Sequence, residues 1–267
     1  MEASQSTDFD LRPMEPADVR AVLEIVRQHD DDDYRSAQQS YRESLEDHFV
    51  LTRDQLVIGC TGAREIEGTE RSFRLSWTYV HPQYQGMGCE PRMLKLLFDE
   101  LRNWDARKLF VNASDYYDVQ HANRFDQLLK AYQSLGFVQE LLHPHYYDRD
   151  ESLITFGKRL QETTQRGERM PSDLGAVLTG VDEIPETDDA YFIGWELSED
   201  EPSTPAELAA LVQKARKWRG RVIFVGVPSD APQVNQLFQN GGFSREGQLR
   251  DFYADGVDEL HFRFDLL

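Results

Sequence analysis

The chain has 267 residues, of which 40% are apolar and 11% aromatic, enough for one large domain or two modest ones with ordinary cores. No stretch approaches the length of a membrane span, and Met-Glu-Ala-Ser-Gln-Ser-Thr-Asp at the start has no basic or apolar signal character, so a soluble cytoplasmic protein is expected. A net charge of −19 argues against nucleic acid and against anionic membrane surfaces, whose phosphates are bound by Lys and Arg, and is compatible with a cationic amine substrate or with solubility alone.

In chain order, Phe9-Asp10-Leu11-Arg12-Pro13 predicts a short first strand. Val19, Val22, Leu23 and Val26 share one face of a helix over residues 17–26. The run Asp30-Asp31-Asp32-Asp33 follows, and its plain reading is a solvated loop with a cap for a second helix over 37–47. Phe49-Val50-Leu51 and Leu56-Val57-Ile58-Gly59-Cys60 read as adjoining strands, and Phe73 to Val80 as a fourth. Cys60 and Cys89 show neither metal-ligand spacing nor a disulfide framework, so a metal is not expected.

Residues 79–90 read Tyr-Val-His-Pro-Gln-Tyr-Gln-Gly-Met-Gly-Cys-Glu, and Met93, Leu94, Leu97, Phe98 and Leu101 follow at helical spacing, with Pro91 opening the helix. A strand, a glycine loop and a helix make an anion site. Glycines let the backbone turn and approach a ligand, and the first N–H groups of the helix have no internal partner. The ligand expected is a phosphate or pyrophosphate. No Gly-Lys-Ser/Thr closes the loop, and Pro91 stands where a dinucleotide fingerprint needs its third glycine. Lys108-Leu109-Phe110-Val111-Asn112 reads as a fifth strand. Leu128, Leu129 and Tyr132 share the face of a helix that Gly136 stops.

The loop resembles the coenzyme A loop of the GNAT superfamily of N-acetyltransferases, Gln/Arg-x-x-Gly-x-Gly/Ala after Val-x-Pro and an aromatic residue. Val80, Pro82, Tyr84, Gln85 and Gly88 match in order, and Glu90 departs from the small residue at the last place. Tyr132, Gly136 and Phe137 resemble the second signature of that superfamily, and Leu153-Ile154-Thr155-Phe156, ending at Leu160, looks like its closing strands. The likeness spans residues 9–160. It implies an α/β fold with a mixed, mostly antiparallel central sheet and helices on both faces. It also implies acetyl-CoA as co-substrate, held by Tyr79, Val80, Gln85, Gly86, Met87, Gly88, Cys89 and Glu90, with Arg92, Lys95 or Arg102 adding positive charge. Tyr132 is then the general acid for the leaving sulfur. The activity implied is acetyl transfer to a small or cationic amine by direct attack in a ternary complex. On this reading the Asp30–Asp33 run shapes the acceptor pocket. Many relatives carry a carboxylate on the fourth strand, and this one carries none; either water relays the proton or Asp115, Asp118 or His81 is the candidate base. A non-catalytic acyl-CoA-binding module and a structural interaction protein stay open as alternatives, and a homodimer is compatible with either.

Residues 161–173 are polar, carry a Gly and a Pro, and read as a linker between a domain over 1–160 and a second one over 174–267. In the latter, Ala190 to Trp195 reads as a strand, Pro205 to Trp218 as a helix, Val222 to Val227 as a buried strand and Gln233 to Asn240 as a helix before two last strands. Shifting residues 132–160 by 106 positions aligns them without gaps to 238–266, pairing Gly136 with Gly242, Phe137 with Phe243 and Leu160 with Leu266. Phe238 stands for Tyr132, and residues 196–204 are acidic with no glycine pair. The segment is expected to be a degenerate GNAT-like half-domain without cofactor binding.

Overall fold

The computed structural model describes residues 9–116, 124–162, 172–199 and 201–266. It divides into two compact units, one of Met1–Glu67, Phe73–Val111 and Leu160–Glu162, the other of Gly68–Ser72, Asn112–Arg159 and Thr163–Leu267. Most of the expected linker, and Asp118, lie outside the described residues.

The first unit opens with β1 (Phe9–Pro13), whose Arg12 forks onto Asp18 at 2.6 and 2.8 Å and holds that carboxyl below its ordinary range. Helix α1 (Val19–Arg27) buries Val22, Ile25 and Val26. Helix α2 (Asp31–Glu43) begins six residues before the apolar pattern predicts. The Asp30 side chain accepts the Asp33 N–H at 2.9 Å, so the acidic run is the cap and first turn of a helix, where carboxylates meet the positive end of its dipole.

Strands β2 (His48–Arg53) and β3 (Leu56–Glu65) pair antiparallel with Val50 opposite Cys60 and Leu51 opposite Gly59. Alternation sends neighbouring side chains to opposite faces. Val50 and Cys60 pack with Val22, Val26 and Ala37 of α1 and α2. Leu51 and Ile58 pack with Cys89 and Met93 of α3 (Cys89–Asn103). Helices therefore cover both faces, as expected.

The single strand expected over 73–80 is two. β4 (Ser72–Leu75) pairs β3 with Leu75 opposite Ala63, and β5 (Tyr79–Val80) pairs it again with Tyr79 opposite Cys60. Three steps along β3 face four along its partner, so one residue of 76–78 is bulged out. The Thr78 hydroxyl lies 2.8 Å from the Ser76 carbonyl and 3.0 Å from the Thr61 hydroxyl, which holds the bulge. Bulges of this kind redirect side chains and end pairing beside functional sites. The unit's strands run β1, β2, β3, β4 and then β6 (Lys108–Ser114), with β5 beside β3.

The second unit contains α4 (Arg124–Ser134) and the antiparallel pair β7 (Val138–His143) and β8 (Leu153–Arg159). It continues with β9 (Gly175–Glu183), β10 (Ala190–Ser198), α5 (Pro205–Lys217), β11 (Val222–Pro228), α6 (Pro232–Asn240), β12 (Ser244–Ala254) and β13 (Val257–Asp265). These strands form a five-stranded sheet in the order β12, β13, β11, β10, β9, parallel only between β10 and β11. Strand β9 has no counterpart in the sequence reading, because Thr179 and Gly180 interrupt its apolar alternation. Helix α5 starts on a capping box between Thr204 and Glu207. The core gathers Val181, Ile193, Leu208, Val212, Ile223, Val225, Val234, Phe238, Phe243 and Phe262.

The two stretches that align at a shift of 106 share local geometry. Gly136 and Gly242 take φ of 83° and 87°. Phe137 N–H donates to the Tyr132 carbonyl and Phe243 N–H to that of Phe238, each at 3.0 Å. The paired rings meet edge-on at 5.4 Å in both cases. Leu160 N–H reaches the Arg107 carbonyl and Leu266 N–H that of Arg221, again each at 3.0 Å.

Within the second unit β7 packs beside β12 through a buried polar chain. His143 bonds Glu246 through Nδ1 and His261 through Nε2 at 3.0 Å, and His261 reaches Glu259 at 2.7 Å. Arg263 closes it on Glu246 at 3.0 Å. Burial lowers the His143 pKa against the opposing pull of Glu246. No helix among the described residues is long and apolar enough to cross a membrane.

Candidate functional site

Strand β5 pairs on one edge only among the described residues. His81 N–H donates to the Ile58 carbonyl at 2.8 Å. Backbone groups alternate along a strand, so the N–H and C=O of Val80 point away from β3. The Val80 carbonyl takes a hydrogen bond from His29 Nε2 at 2.8 Å, which fixes the protonated nitrogen of that ring. The His29 and Tyr79 rings lie 4.7 Å apart, and the Tyr79 hydroxyl donates to the Asp33 carboxylate. Behind them Cys60 is fully buried, and burial pushes its thiol up to about 12.

Past Val80 the chain makes one tight turn over Pro82–Tyr84, capped by His81, whose Nδ1 accepts the Gln83 N–H at 3.2 Å. His81 is thereby engaged in shaping the turn. Gly86 and Gly88 take φ of 74° and 75° with open space where a β-carbon would stand. Their requirement is conformational, since L side chains rarely adopt that backbone. Helix α3 then begins at Cys89 with Gly88 as its N-cap and no side-chain cap. Pro91 is its third residue and not its first, and there too its missing N–H costs nothing. Gln85 and Met87 spend their N–H groups on the carbonyls of Pro82 and Tyr84. The N–H groups of Gly86, Gly88, Cys89 and Glu90 carry no backbone bond among the described residues. Cys89 is buried, Met87 is 65% exposed, and the Glu90 side chain is exposed at the first turn.

Of the basic residues expected to help, Arg102 is occupied by Asp99 and the Leu160 carbonyl, and Arg92 stacks over the Phe9 ring at 5.4 Å. Lys95 is exposed on α3. What the loop itself offers an anion is backbone N–H groups and the positive end of the helix dipole.

Tyr132 belongs to the second unit. Its side chain is 8% exposed and packs on Phe137 and, at 5.7 Å, on Phe156. In the same unit Asp115 accepts the Ser152 N–H at 2.6 Å, a strand-bridging role. The sequence reading named the acidic run as a group but missed His29 and Asp33 as partners of β5. His29 stands next to that run in the sequence, but Tyr79 is 46 residues from Asp33, and no spacing identifies such a cross-element contact.

Residues 14–137 match the model of the Acetyltransferase (GNAT) family. Several solved structures are similar to part of the chain at low identity. A GNAT-family protein from Desulfovibrio desulfuricans is 20% identical, with 58% of this chain and 99% of that one covered at a TM-score of 0.51. The ribosomal-protein-S18-alanine N-acetyltransferase of Escherichia coli is 20% identical over 61% of this chain and 99% of that one, at 0.48. A Salmonella typhimurium protein solved with its cofactor acetyl-CoA is 22% identical over 61% of this chain and 99% of its own, at 0.47. No curated protein matches the chain.

Proposed function

Because residues 14–137 match the model of the acetyltransferase (GNAT) family, we propose that the protein transfers an acetyl group from acetyl-CoA to a small or cationic amine by direct attack in a ternary complex. One observation carries the reading. The half-paired strand β5 runs straight into a loop with two left-handed glycines and an uncapped helix end, which leaves the N–H groups of Gly86, Gly88, Cys89 and Glu90 without a backbone bond among the described residues. Four of those groups suit a pyrophosphate, and the outward N–H of Val80 suits a developing oxyanion. Acetyl-CoA supplies the activated acyl group. Val80 orients the carbonyl, residues 85–90 hold the phosphates, and Tyr132 gives its proton to the leaving sulfur.

The second half, residues 174–267, we read as a degenerate half-copy that serves as scaffold. The matched glycines, edge-on ring pairs and backbone bonds at a shift of 106 support this. Phe238 has no hydroxyl to donate, and the acidic stretch after β10 would repel pyrophosphate.

A binding module without catalysis is the second reading, favoured by exposed Glu90 at the phosphate loop. Thermal shift with acetyl-CoA and thiol release with an amine panel separate the readings. A raised melting temperature with thiol release supports the enzyme, a shift without release supports the module, and no shift leaves only the fold.

Glu90→Gly should tighten acetyl-CoA binding. In the empty protein a carboxylate in the first turn gains about 0.3–1 kcal/mol from the helix dipole. With pyrophosphate present it becomes a nearby like charge, so the gain from its removal should shrink as salt rises. Titrations at low and high ionic strength measure this, and weaker binding by the variant would show that Glu90 shapes the loop instead.

A further inference from the structure

We propose that the Tyr79 hydroxyl and the Asp33 carboxylate are the proton-accepting pair for the amine, which makes the acceptor a cationic primary or secondary amine; this rests on the acetyl-transfer reading above. Amide formation releases a proton from nitrogen, and some group beside the thioester must take it. Residues 72–80 hold no carboxylate. Tyr79 adjoins Val80, whose outward N–H is the proposed oxyanion donor, so the residue belongs to the strand that would hold the reacting carbonyl. Helix α2 brings in the missing carboxylate, and Tyr79 donates to it.

Three features make this pair more than a surface contact. His29 is bonded to the Val80 carbonyl and lies against the Tyr79 ring, so one residue positions both the strand end and the phenol. Among the neighbouring acidic residues, Asp30 is engaged in capping α2 and Asp31 lies 3.9 Å from Arg27, while Asp33 faces β5. Against Tyr79 lie His29 from the turn after α1 and Asp33 from α2, and the neutral, buried Cys60 thiol stands opposite it on β3.

The step balances. The amine nitrogen forms its bond to the acyl carbon as the carbon–sulfur bond breaks, and the sulfur leaves with the proton of Tyr132. The nitrogen becomes acidic on bonding and passes its proton to the Tyr79 oxygen, while the Tyr79 proton moves to Asp33. Solvent then takes that proton from Asp33 and reprotonates Tyr132. The same carboxylate attracts the ammonium form as it arrives, which no neutral base would do; the ammonium gives one proton to solvent before the neutral nitrogen attacks, and the second is the one the pair accepts.

The test uses the full chain, acetyl-CoA, and spermidine, propylamine and arginine methyl ester as probes, with thiol release followed from neutral to alkaline pH. Asp33→Asn is expected to lower kcat about a hundredfold at neutral pH, with the loss shrinking at alkaline pH where amine and solvent need less help. Tyr79→Phe should match it, and the double variant should be no worse than either, as for groups acting as one unit. Asp33→Glu should restore part of the rate, and the acetyl-CoA thermal shift should be unchanged throughout. Where Asp33→Asn fails to fold, Tyr79→Phe carries the test, because it keeps the ring. A pH-independent loss, or an unchanged kcat with lowered stability, would overturn the pair and leave it a strut between α2 and β5. Acetyl-CoA binding by the wild type without thiol release from any probe would overturn the transfer reading, and this inference with it.

Discussion

Replacing Tyr132 by phenylalanine is expected to lower turnover by about tenfold or more while leaving acetyl-CoA affinity unchanged. A proton donated to a departing thiolate matters in the transition state and not in ground-state binding, so kcat should fall without a change in the binding constant. The substitution is gentle in structural terms. Tyr132 is 8% exposed, and its ring contacts with Phe137 and Phe156 do not depend on the hydroxyl. Residue 238 already shows a phenylalanine in the matching environment, edge-on to Phe243 at the same 5.4 Å. A loss of rate at unchanged stability can therefore be assigned to the missing O–H. Steady-state kinetics on an amine that the wild type acetylates, with acetyl-CoA binding measured separately, decides it. An unchanged kcat would return Tyr132 to the role of a core aromatic.

Phe238→Ala should act on stability alone, costing about 3–5 kcal/mol, the range for truncating a fully buried aromatic ring. The ring is 0% exposed and sits among Leu208, Val234 and Phe243 in the core of the second unit. Alanine leaves a cavity there and breaks the edge-on pair. Urea unfolding of the variant reports the loss as a lower midpoint at unchanged slope. Thiol release by molecules that remain folded should match the wild type. Loss of chemistry in a fully folded variant would show that the second half contributes to the site and is not scaffold.

Local chemistry by itself determined a good deal. Gly86, Gly88 and Pro91 specify a strand–loop–helix turn because their backbone constraints act within a few residues. Tyr132, Gly136 and Phe137 specify a helix stop for the same reason, and their recurrence at Phe238, Gly242 and Phe243 was legible as spacing. The amphipathic faces of α1 and α3 followed from period alone. What the tertiary structure decided depends on which partner a segment meets. The stretch 73–80 reads as one apolar strand, yet β3 accepts it in two registers and forces a bulge between them. The apolar pattern starts α2 at Ala37, but the Asp30 cap draws its first turn back into the acidic run. Strand β9 is invisible to alternation and exists because β10 offers it an edge. Asp33 and Tyr79 are 46 residues apart, and His143 and His261 are 118 apart. Neither pairing has a sequence signature, because hydrogen bonds between elements are fixed by packing and not by local spacing.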